Sequence, residues 1–256
     1  TYIDGGIMNK FIFFMYKIFK GKKTSYIFQN KDDRNVFKKN NLLKNGNFFL
    51  IPGSGVDTNK FKKNLDYIHN SSFKNFNFLF IGRLIKHKGI NEFYKAALKL
   101  ISISKIKINF IILGRFDKND NYSIGQNLYD NIKKNKSFKL IDNSNNVAYF
   151  IKKSHCVVLS SKREGMPMSL LEACSIGRPI ITSDVPGSRE IVIHDYNGYK
   201  YKSGNINDLY KKMLSIINLP KIKLINFCNN ANEHVKKNFS SNLINDMYYQ
   251  IIKKKL

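Results

Sequence analysis

Short apolar runs alternate with amphipathic stretches through the middle of the chain. The apolar runs predict short buried strands, at residues 78–81, 108–113, 157–159 and 179–182. Helical periodicity follows each run and predicts a helix or a helical turn, at residues 89–101, 128–134, 169–175 and 189–193. Short strands separated by helices predict an α/β fold, with a doubly wound, Rossmann-like parallel sheet that carries helices on both faces.

The flanks of this region are mostly helical. Before it, the pattern predicts two helices and two short strands, at residues 8–20, 24–28, 32–43 and 48–51. Asp32 and Asp33 are the predicted caps of the second helix. After it, three helices are predicted, at residues 209–217, 224–237 and 243–255. We refer to residues 1–47 as the leading segment, to residues 48–238 as the central domain and to residues 239–256 as the final helical segment.

The charge of the chain is strongly positive. Lys and Arg number 44 against 18 Asp and Glu, a formal net charge of +26. This charge favours contact with phosphates on nucleotides, lipids or nucleic acid. The alternative is compositional bias, because the lysines are spread over the whole chain. Cys156, Cys174 and Cys228 form no CxxC pair, which argues against zinc and redox motifs and fits a reduced, cytoplasmic compartment.

The loop after the strand at 78–81 places two cations between two glycines. Gly82 and Gly89 flank it, and Arg83 and Lys88 lie between them. Ligands of doubly wound sheets bind at the carboxyl ends of strands, where an arginine fork and a lysine suit a diphosphate. The alternative is a solvated basic loop, since the spacing is not that of a P-loop.

The loop after the strand at 157–159 leads into a helix start, which is a natural site for an anion. Pro167 is placed for the first turn of that helix. Glu164 and Glu172 flank the helix start, and we expect Glu172 to accept hydrogen bonds from a ribose diol and Glu164 to approach a transferred sugar. The alternative is helix capping and a surface glutamate. A third loop, at 182–190, is either a wall of the sugar pocket or an ordinary turn.

Taken together, the motifs resemble those of group 1 glycosyltransferases, the family-four, retaining class with the two-domain GT-B fold. The resemblance covers residue 24 to the end of the chain. It rests on Ile51-Pro52-Gly53-Ser54-Gly55-Val56-Asp57, Phe80-Ile81-Gly82-Arg83-Leu84, Lys88-Gly89, Arg163-Glu164-Gly165-Met166-Pro167, Leu171-Glu172-Ala173, Gly177-Arg178-Pro179 and Asp184-Val185-Pro186-Gly187. It implies that residues 48–238 are the C-terminal, nucleotide-sugar-binding domain of such an enzyme.

The resemblance also implies roles. Arg83, Lys88 and Glu164 are the implied catalytic residues, the two cations offsetting the charge of the leaving diphosphate and Glu164 lying near the donor sugar. The implied donor-binding residues are Gly82, Gly165, Met166, Pro167, Met168, Ser169 and Glu172. Neither a metal ion nor another cofactor is expected, and the sequence has no DxD motif.

The expected reaction moves a sugar, with retention, from a nucleotide-diphosphate donor to a saccharide or lipid-linked saccharide. The resemblance favours UDP over GDP as the nucleotide, and favours capsule, lipopolysaccharide or exopolysaccharide synthesis as the setting. Residues 1–47 resemble the last part of an N-terminal acceptor domain, with Gly5, Gly6 and the helix after them as its final segment, and residues 239–256 are expected to cross back to it. We therefore expect this chain alone to bind donor without transferring sugar.

The first predicted helix suggests a membrane contact. Its aromatic and basic side chains favour peripheral binding of a cytoplasmic protein to the anionic inner face of the plasma membrane, through Phe11, Phe13, Phe14, Phe19, Lys10, Lys17 and Lys20. The alternative is an ordinary core helix of the acceptor domain.

Three other functions compete with glycosyl transfer. A nucleotide-binding or regulatory module would keep the phosphate loops without needing Glu164. Nucleic-acid binding rests on charge alone, and we expect no nucleic-acid partner because no reader motif is present. A glycosidase would use Glu164 and Glu172 as a carboxylate pair, but a helix start and nearby cations suit a phosphorylated donor better.

Overall fold

The computed structural model describes residues 7–19, 24–43 and 48–255, without the side chains of residues 7–10 and 255. The elements follow in chain order: α1 (Ile7–Phe19), β1 (Tyr26–Phe28), α2 (Lys31–Lys39), β2 (Phe48–Leu50), α3 (Asp66–His69), β3 (Asn75–Ile81), α4 (Ile90–Ile103), β4 (Lys107–Leu113), α5 (Gln126–Lys134), β5 (Phe138–Ile141), α6 (Val147–Lys152), β6 (Cys156–Leu159), α7 (Met168–Ile176), β7 (Ile180–Ser183), α8 (Ser188–Ile191), β8 (Gly198–Tyr201), α9 (Ile206–Ile217), α10 (Lys221–Asn238) and α11 (Ser241–Lys255).

The central structure is a six-stranded sheet in the order β5-β4-β3-β6-β7-β8. Every pairing in it is parallel. The chain builds outward from β3 in one direction and from β6 in the other, so the strand order reverses between these two strands. This reversal is the topological switch point at which doubly wound sheets bind ligands. The predicted α/β, Rossmann-like fold is confirmed.

Strand β3 shows why the sheet is buried on both faces. Phe78 and Phe80 belong to one apolar cluster and Leu79, between them, to another. Successive side chains of a strand point to opposite faces, so the two clusters are the cores above and below the sheet. Phe93 of α4 packs into the first and Leu171 of α7 into the second.

A small, separate parallel sheet links the leading segment to the start of the central domain. β1 pairs with β2, and β2 joins no strand of the large sheet. The predicted boundary between residues 47 and 48 therefore falls between two paired strands. The division of the chain into domains stays a prediction. The chain end packs on the connection after β2, where the Ser241 N–H donates to the Val56 carbonyl (2.9 Å) and Val56 N–H to the Phe239 carbonyl (2.8 Å).

The cap of α2 differs from the prediction. Asn30 is the N-cap, and its side-chain oxygen accepts from the Asp33 N–H at 2.8 Å. Asp32 and Asp33 follow in the first turn. They are stabilised there by the partial positive charge of the helix start, but neither is the cap.

Helix α1 presents aromatic side chains to solvent. Phe11, Phe14 and Phe19 are 56%, 57% and 74% exposed. The expected exposure of Phe13 is wrong, because its ring packs edge-on against Phe37 of α2 and is half-buried. Gly5, Gly6, Lys20 and the side chain of Lys10 lie outside the described residues.

Two further findings bear on the sequence predictions. Over the described ranges, no helix is long and apolar enough to cross a membrane. All three cysteines are free thiols and buried.

Candidate nucleotide-sugar site

The loops that follow β3 and β6 pack backbone against backbone at the switch point. Gly89 ends the 3-10 turn Lys86–Lys88 with a φ of +69° and begins α4. A Cβ at Gly89 would lie 1.9 Å from the Ser160 carbonyl oxygen, so only glycine allows this approach. The Ser160 hydroxyl donates to the Gly89 carbonyl at 2.7 Å. The first two predicted site loops thus form one surface.

One ion pair joins these loops. The Lys88 ammonium donates to the Glu164 carboxylate, with Nζ 2.6 Å from Oε1. The side chains are 26% and 11% exposed, so the pair is largely buried but keeps some contact with solvent. The predicted diphosphate-binding cation and the predicted sugar-end carboxylate therefore meet in the structure.

Arg83 and Glu172 are not joined to this pair by any hydrogen bond between described residues. Arg83 is exposed, and its guanidinium forms no ion pair within the described part of the chain. Glu172 lies one turn into α7 and is half-buried. Burial raises the pKa of Glu172 to about 7, an effect that the charge of Lys60 partly offsets. With this pKa, the Glu172 carboxyl group titrates near neutral pH.

The loop Arg163–Met168 is enclosed by two neighbouring loops. Gly187 approaches it so closely that a Cβ there would lie 2.2 Å from the Gly165 carbonyl oxygen. Met166 is buried beneath Gly53. On the outer side, the Ser54 hydroxyl lies 3.6 Å from the sulfur of Met168. The turn at 182–190, which the sequence left as wall or ordinary turn, is in contact with the site loop.

Helix α7 begins where the sequence placed an anion site. Pro167 is its N-cap in extended conformation, and the Pro167 carbonyl accepts from Leu170 N–H (3.1 Å) and Leu171 N–H (3.3 Å). Met168 and Ser169 are the first two helical residues. Their N–H groups belong to the orphan amides of a helix start, which favour negative charge.

The start of α2 also reaches this loop, which sequence reasoning missed. The Asn30 amide donates to the Gly165 carbonyl at 3.1 Å, and Arg163 forms an ion pair with Asp33. An asparagine before Lys-Asp-Asp is a visible helix-cap signal. Its contact with a loop 135 residues away has no such signal, because tertiary packing alone creates it.

Two further polar contacts attach the start of α2 to α8. The Lys31 N–H donates to Glu190 Oε1 at 3.1 Å. The Arg189 guanidinium lies 3.4 Å from the Asp32 carboxylate. The leading segment is thus bound to both loops on the β6 side of the switch point.

The described residues lack a cluster of metal-binding side chains. Within residues 7–19, 24–43 and 48–255, no group of three or more His, Cys, Asp or Glu side chains could hold a metal ion. The positive charge at the site loops is supplied by side chains of the protein, Arg83 and Lys88 among them.

Comparison with known proteins identifies the class. The sequence-family model for "Glycosyl transferases group 1" matches residues 61–237, which are more than half of the chain. A solved glycosyltransferase from Rickettsia africae superimposes with a TM-score of 0.80 at 17% identity, over 100% of this chain and 68% of that protein. The chain belongs to the group 1 glycosyltransferases, and its fold is that of a GT-B enzyme.

Two characterised relatives are similar over nearly the whole chain. One is the N,N'-diacetylbacillosaminyl-diphospho-undecaprenol alpha-1,3-N-acetylgalactosaminyltransferase of Campylobacter jejuni, 28% identical over 98% of this chain and 66% of the relative. The other is the UDP-Gal:alpha-D-GlcNAc-diphosphoundecaprenol alpha-1,3-galactosyltransferase of Escherichia coli, 26% identical over 96% of this chain and 62% of the relative. The chain thus spans less than two thirds of the length of each.

Proposed function

We propose that this chain binds a nucleotide-diphosphate sugar and that the protein containing it transfers the sugar, with retention, to a saccharide or lipid-linked saccharide. The observation that carries the proposal is the contact between Lys88 and Glu164 at the switch point. A cation suited to a diphosphate and a carboxylate suited to a sugar lie side by side, at the edge where the strands end. The membership of the chain in a glycosyltransferase family supports the same function.

The diphosphate is the part of the donor that needs positive charge. We propose that Arg83 and Lys88 bind it from the β3 loop, while the orphan N–H groups at the start of α7 approach it from the β6 loop. As the bond between sugar and diphosphate breaks, negative charge grows on the leaving oxygen. Fixed cations and amides stabilise that charge without reorganising, so the proposed reaction requires no metal ion.

The two glutamates serve different parts of the donor. Glu164 follows Arg163 in the loop and is proposed to contact the reacting sugar, with Lys88 holding its carboxylate in place. Glu172 lies deeper, on α7, and is proposed to accept hydrogen bonds from the ribose hydroxyls. The name of the E. coli relative gives UDP-Gal as its donor and an alpha linkage as its product. This supports UDP over GDP here, and retention is the outcome that the resemblance to the retaining class implies.

The acceptor is proposed to be a sugar on a lipid diphosphate. The names of both relatives specify a diphospho-undecaprenol-linked sugar. Such acceptors lie at a membrane, and α1 exposes Phe11, Phe14 and Phe19. We therefore propose a cytoplasmic protein with peripheral contact to an anionic membrane surface, in the synthesis of capsule, lipopolysaccharide or exopolysaccharide.

A ligand screen tests the donor half of the proposal. A ligand that binds only the folded state raises its melting temperature, so UDP, GDP and their common sugar conjugates are compared by thermal shift on this chain. We expect stabilisation by UDP and UDP-sugars, unchanged when a chelator removes divalent cations. Absence of stabilisation by any nucleotide diphosphate at millimolar concentration contradicts the proposal.

Sugar transfer is measured separately, on the protein that contains this chain, with sugars linked to polyprenyl diphosphate as acceptors. Glu164→Gln is the matched inactive control. A nucleotide-binding module without transferase activity gives the thermal shift but no transfer. Because the chain spans 66% of the C. jejuni relative, we expect these 256 residues alone to bind donor without transferring sugar.

A further inference from the structure

Asn30 makes more contacts than a helix cap requires. Its side-chain oxygen caps α2 by accepting from the Asp33 N–H at 2.8 Å. Its side-chain nitrogen donates to the Gly165 carbonyl at 3.1 Å and to the Asp33 carboxylate at 2.9 Å. The residue is fully buried, so both ends of the amide are satisfied by protein atoms.

Other asparagine caps in the chain lack this second contact. Asn205 caps α9 by accepting from the Asp208 N–H at 3.0 Å, and Asn146 caps α6 by accepting from the Tyr149 N–H at 3.1 Å. Neither side chain donates a hydrogen bond to another described loop. Capping alone therefore does not explain why the Asn30 amide is directed at Gly165.

The hydrogen bond to Gly165 fixes a peptide plane. In a trans peptide the carbonyl oxygen and the next N–H point in opposite directions. With its carbonyl held by Asn30, the Gly165–Met166 peptide must direct the Met166 N–H away from α2. Met166 is among the residues that the resemblance implies for donor binding, and we expect its N–H to serve the donor. Gly165 also has Gly187 packed against its carbonyl, so the plane has little freedom to rotate.

The start of α2 holds the residue on the other side of Glu164 as well. Arg163 is paired with Asp33, and Asp33 is itself held by the Asn30 amide. Glu164 therefore lies between two residues that are both attached to α2. Its carboxylate, free of these contacts, extends to Lys88.

We propose that Asn30 is a positioning residue: together with Asp33 it holds residues 163–165 so that the Glu164 carboxylate meets Lys88 and the Met166 N–H faces the donor. The fixing of the loop follows from the contacts alone. Its consequence for donor binding rests on the proposed function. Asn30 itself touches no reacting atom in this scheme.

The test replaces the amide but keeps a cap. Serine is as good an N-cap as asparagine but lacks the amide that reaches Gly165, so Asn30→Ser removes the hold on the loop. Asn205→Ser is the matched control, with the same change at a cap away from the site. Asp33→Asn is the second variant, because it breaks the ion pair with Arg163 and leaves the Asn30 cap in place.

Two measurements are made on each folded variant. Hydrogen–deuterium exchange of the peptide covering residues 163–168 reports the loop, and titration with UDP and with uridine reports the ligand. We expect exchange in Asn30→Ser to rise about threefold to tenfold, as the loss of one hydrogen bond implies. We expect UDP binding to weaken by a similar factor, with uridine nearly unaffected. Asp33→Asn should show a smaller change of the same kind.

The outcomes separate this proposal from the proposed function. If loop exchange in Asn30→Ser and Asp33→Asn matches wild type, or rises no more than in Asn205→Ser, Asn30 is only a cap and the positioning role is wrong. If wild-type chain binds no nucleotide diphosphate, the donor function fails, while the exchange result still decides whether Asn30 holds the loop. Faster loop exchange with unchanged UDP affinity overturns the link to donor binding.

Discussion

The Lys88 Nζ lies 2.6 Å from Glu164 Oε1, joining two loops that are 76 residues apart in the sequence. Both side chains are largely buried, and the cost of removing two charges from water offsets much of the attraction between them. The ion pair therefore contributes little to the stability of the fold. Its position, at the switch point of the sheet, is a stronger reason to expect a role in binding and catalysis.

Replacing the loop cations should weaken diphosphate binding selectively. Hydrogen bonds to charged groups contribute roughly 1.5–3 kcal/mol each, so Arg83→Ala and Lys88→Ala should each reduce UDP affinity about tenfold or more. Lys88→Ala should have the larger effect, because it also leaves the Glu164 carboxylate unpaired beside the diphosphate. Calorimetric titration with UDP measures this.

Two comparisons make that result specific. Uridine affinity should change little in either variant, since uridine has no diphosphate. Adding Glu164→Gln to Lys88→Ala should recover part of the lost UDP affinity, since it removes the uncompensated charge. Equal losses for UDP and uridine would show that the cations act on the fold rather than on the phosphates.

Replacing Glu164 and replacing Glu172 should have different effects on the kinetics. In the protein that contains this chain, Glu164→Gln should lower kcat while donor affinity stays equal or improves, because Lys88 is released from its ion pair. Glu172→Gln should mainly weaken donor binding through lost ribose contacts. Steady-state kinetics and donor titration distinguish these patterns. Wild-type turnover by Glu164→Gln would rule out its assigned role.

Glu172 should make stability depend on pH near neutrality. Burial raises its pKa from an ordinary 4.5 to about 7 in the folded state. Between these values Glu172 of the folded protein holds a proton that the unfolded chain has lost, so the contribution of Glu172 to the free energy of unfolding must fall as pH rises from about 5 to 7 and level off above. Urea denaturation of wild type and Glu172→Gln over this pH range measures the effect. The histidines contribute equally to the free energy of unfolding of both proteins, so their contribution cancels in the difference. A difference independent of pH contradicts the shift.

The sequence predicted the parts of the fold that repeat a simple pattern. β3 and β6 are continuous apolar runs because both faces of their sheet are covered, and the loops after them carry the motif residues. The edge strands β5 and β8 were missed. The short runs Phe138–Ile141 and Gly198–Tyr201 each contain a lysine, because an edge strand is partly open to solvent, and this interrupts the apolar signal.

Only those residues of the candidate site that belong to a local sequence motif could be predicted. Lys88 and Glu164 each stand in a recognisable loop, and strand topology brings those loops together. The contact of Asn30 with Gly165 depends on how the start of α2 packs against the loop after β6 and against α8. No periodicity or spacing encodes that packing, so the role of Asn30 and Asp33 in holding the loop could not be predicted before the structure.

Gly89 should be intolerant of any side chain. Its φ of +69° penalises alanine, and so does its approach to Ser160, whose carbonyl oxygen would lie 1.9 Å from an added Cβ. Gly204 has a similar φ of +77° with open space around it, so Gly204→Ala measures the backbone cost alone, about 1–2 kcal/mol. Gly89→Ala should lose about 1–3 kcal/mol more, as overpacking does. Equal losses in thermal or urea denaturation would mean that the two loops separate freely.

Helix α1 should carry membrane binding if the exposed rings serve that purpose. An apolar helix face adsorbs at a lipid interface, and nearby cations strengthen adsorption to anionic lipid. We expect co-sedimentation with phosphatidylglycerol vesicles to exceed that with phosphatidylcholine, and to fall severalfold in the double variant Phe14→Ser, Phe19→Ser. Ile222→Ser is the control, because Ile222 is 73% exposed, nearly as much as Phe19, but lies on α10. Its binding should match wild type. Equal losses in the control and the double variant would mean that any exposed apolar side chain contributes to binding. Equal binding to both lipids would mean that the basic side chains of α1 do not attract anionic lipid. In that case the alternative stands, in which these rings pack within an acceptor domain.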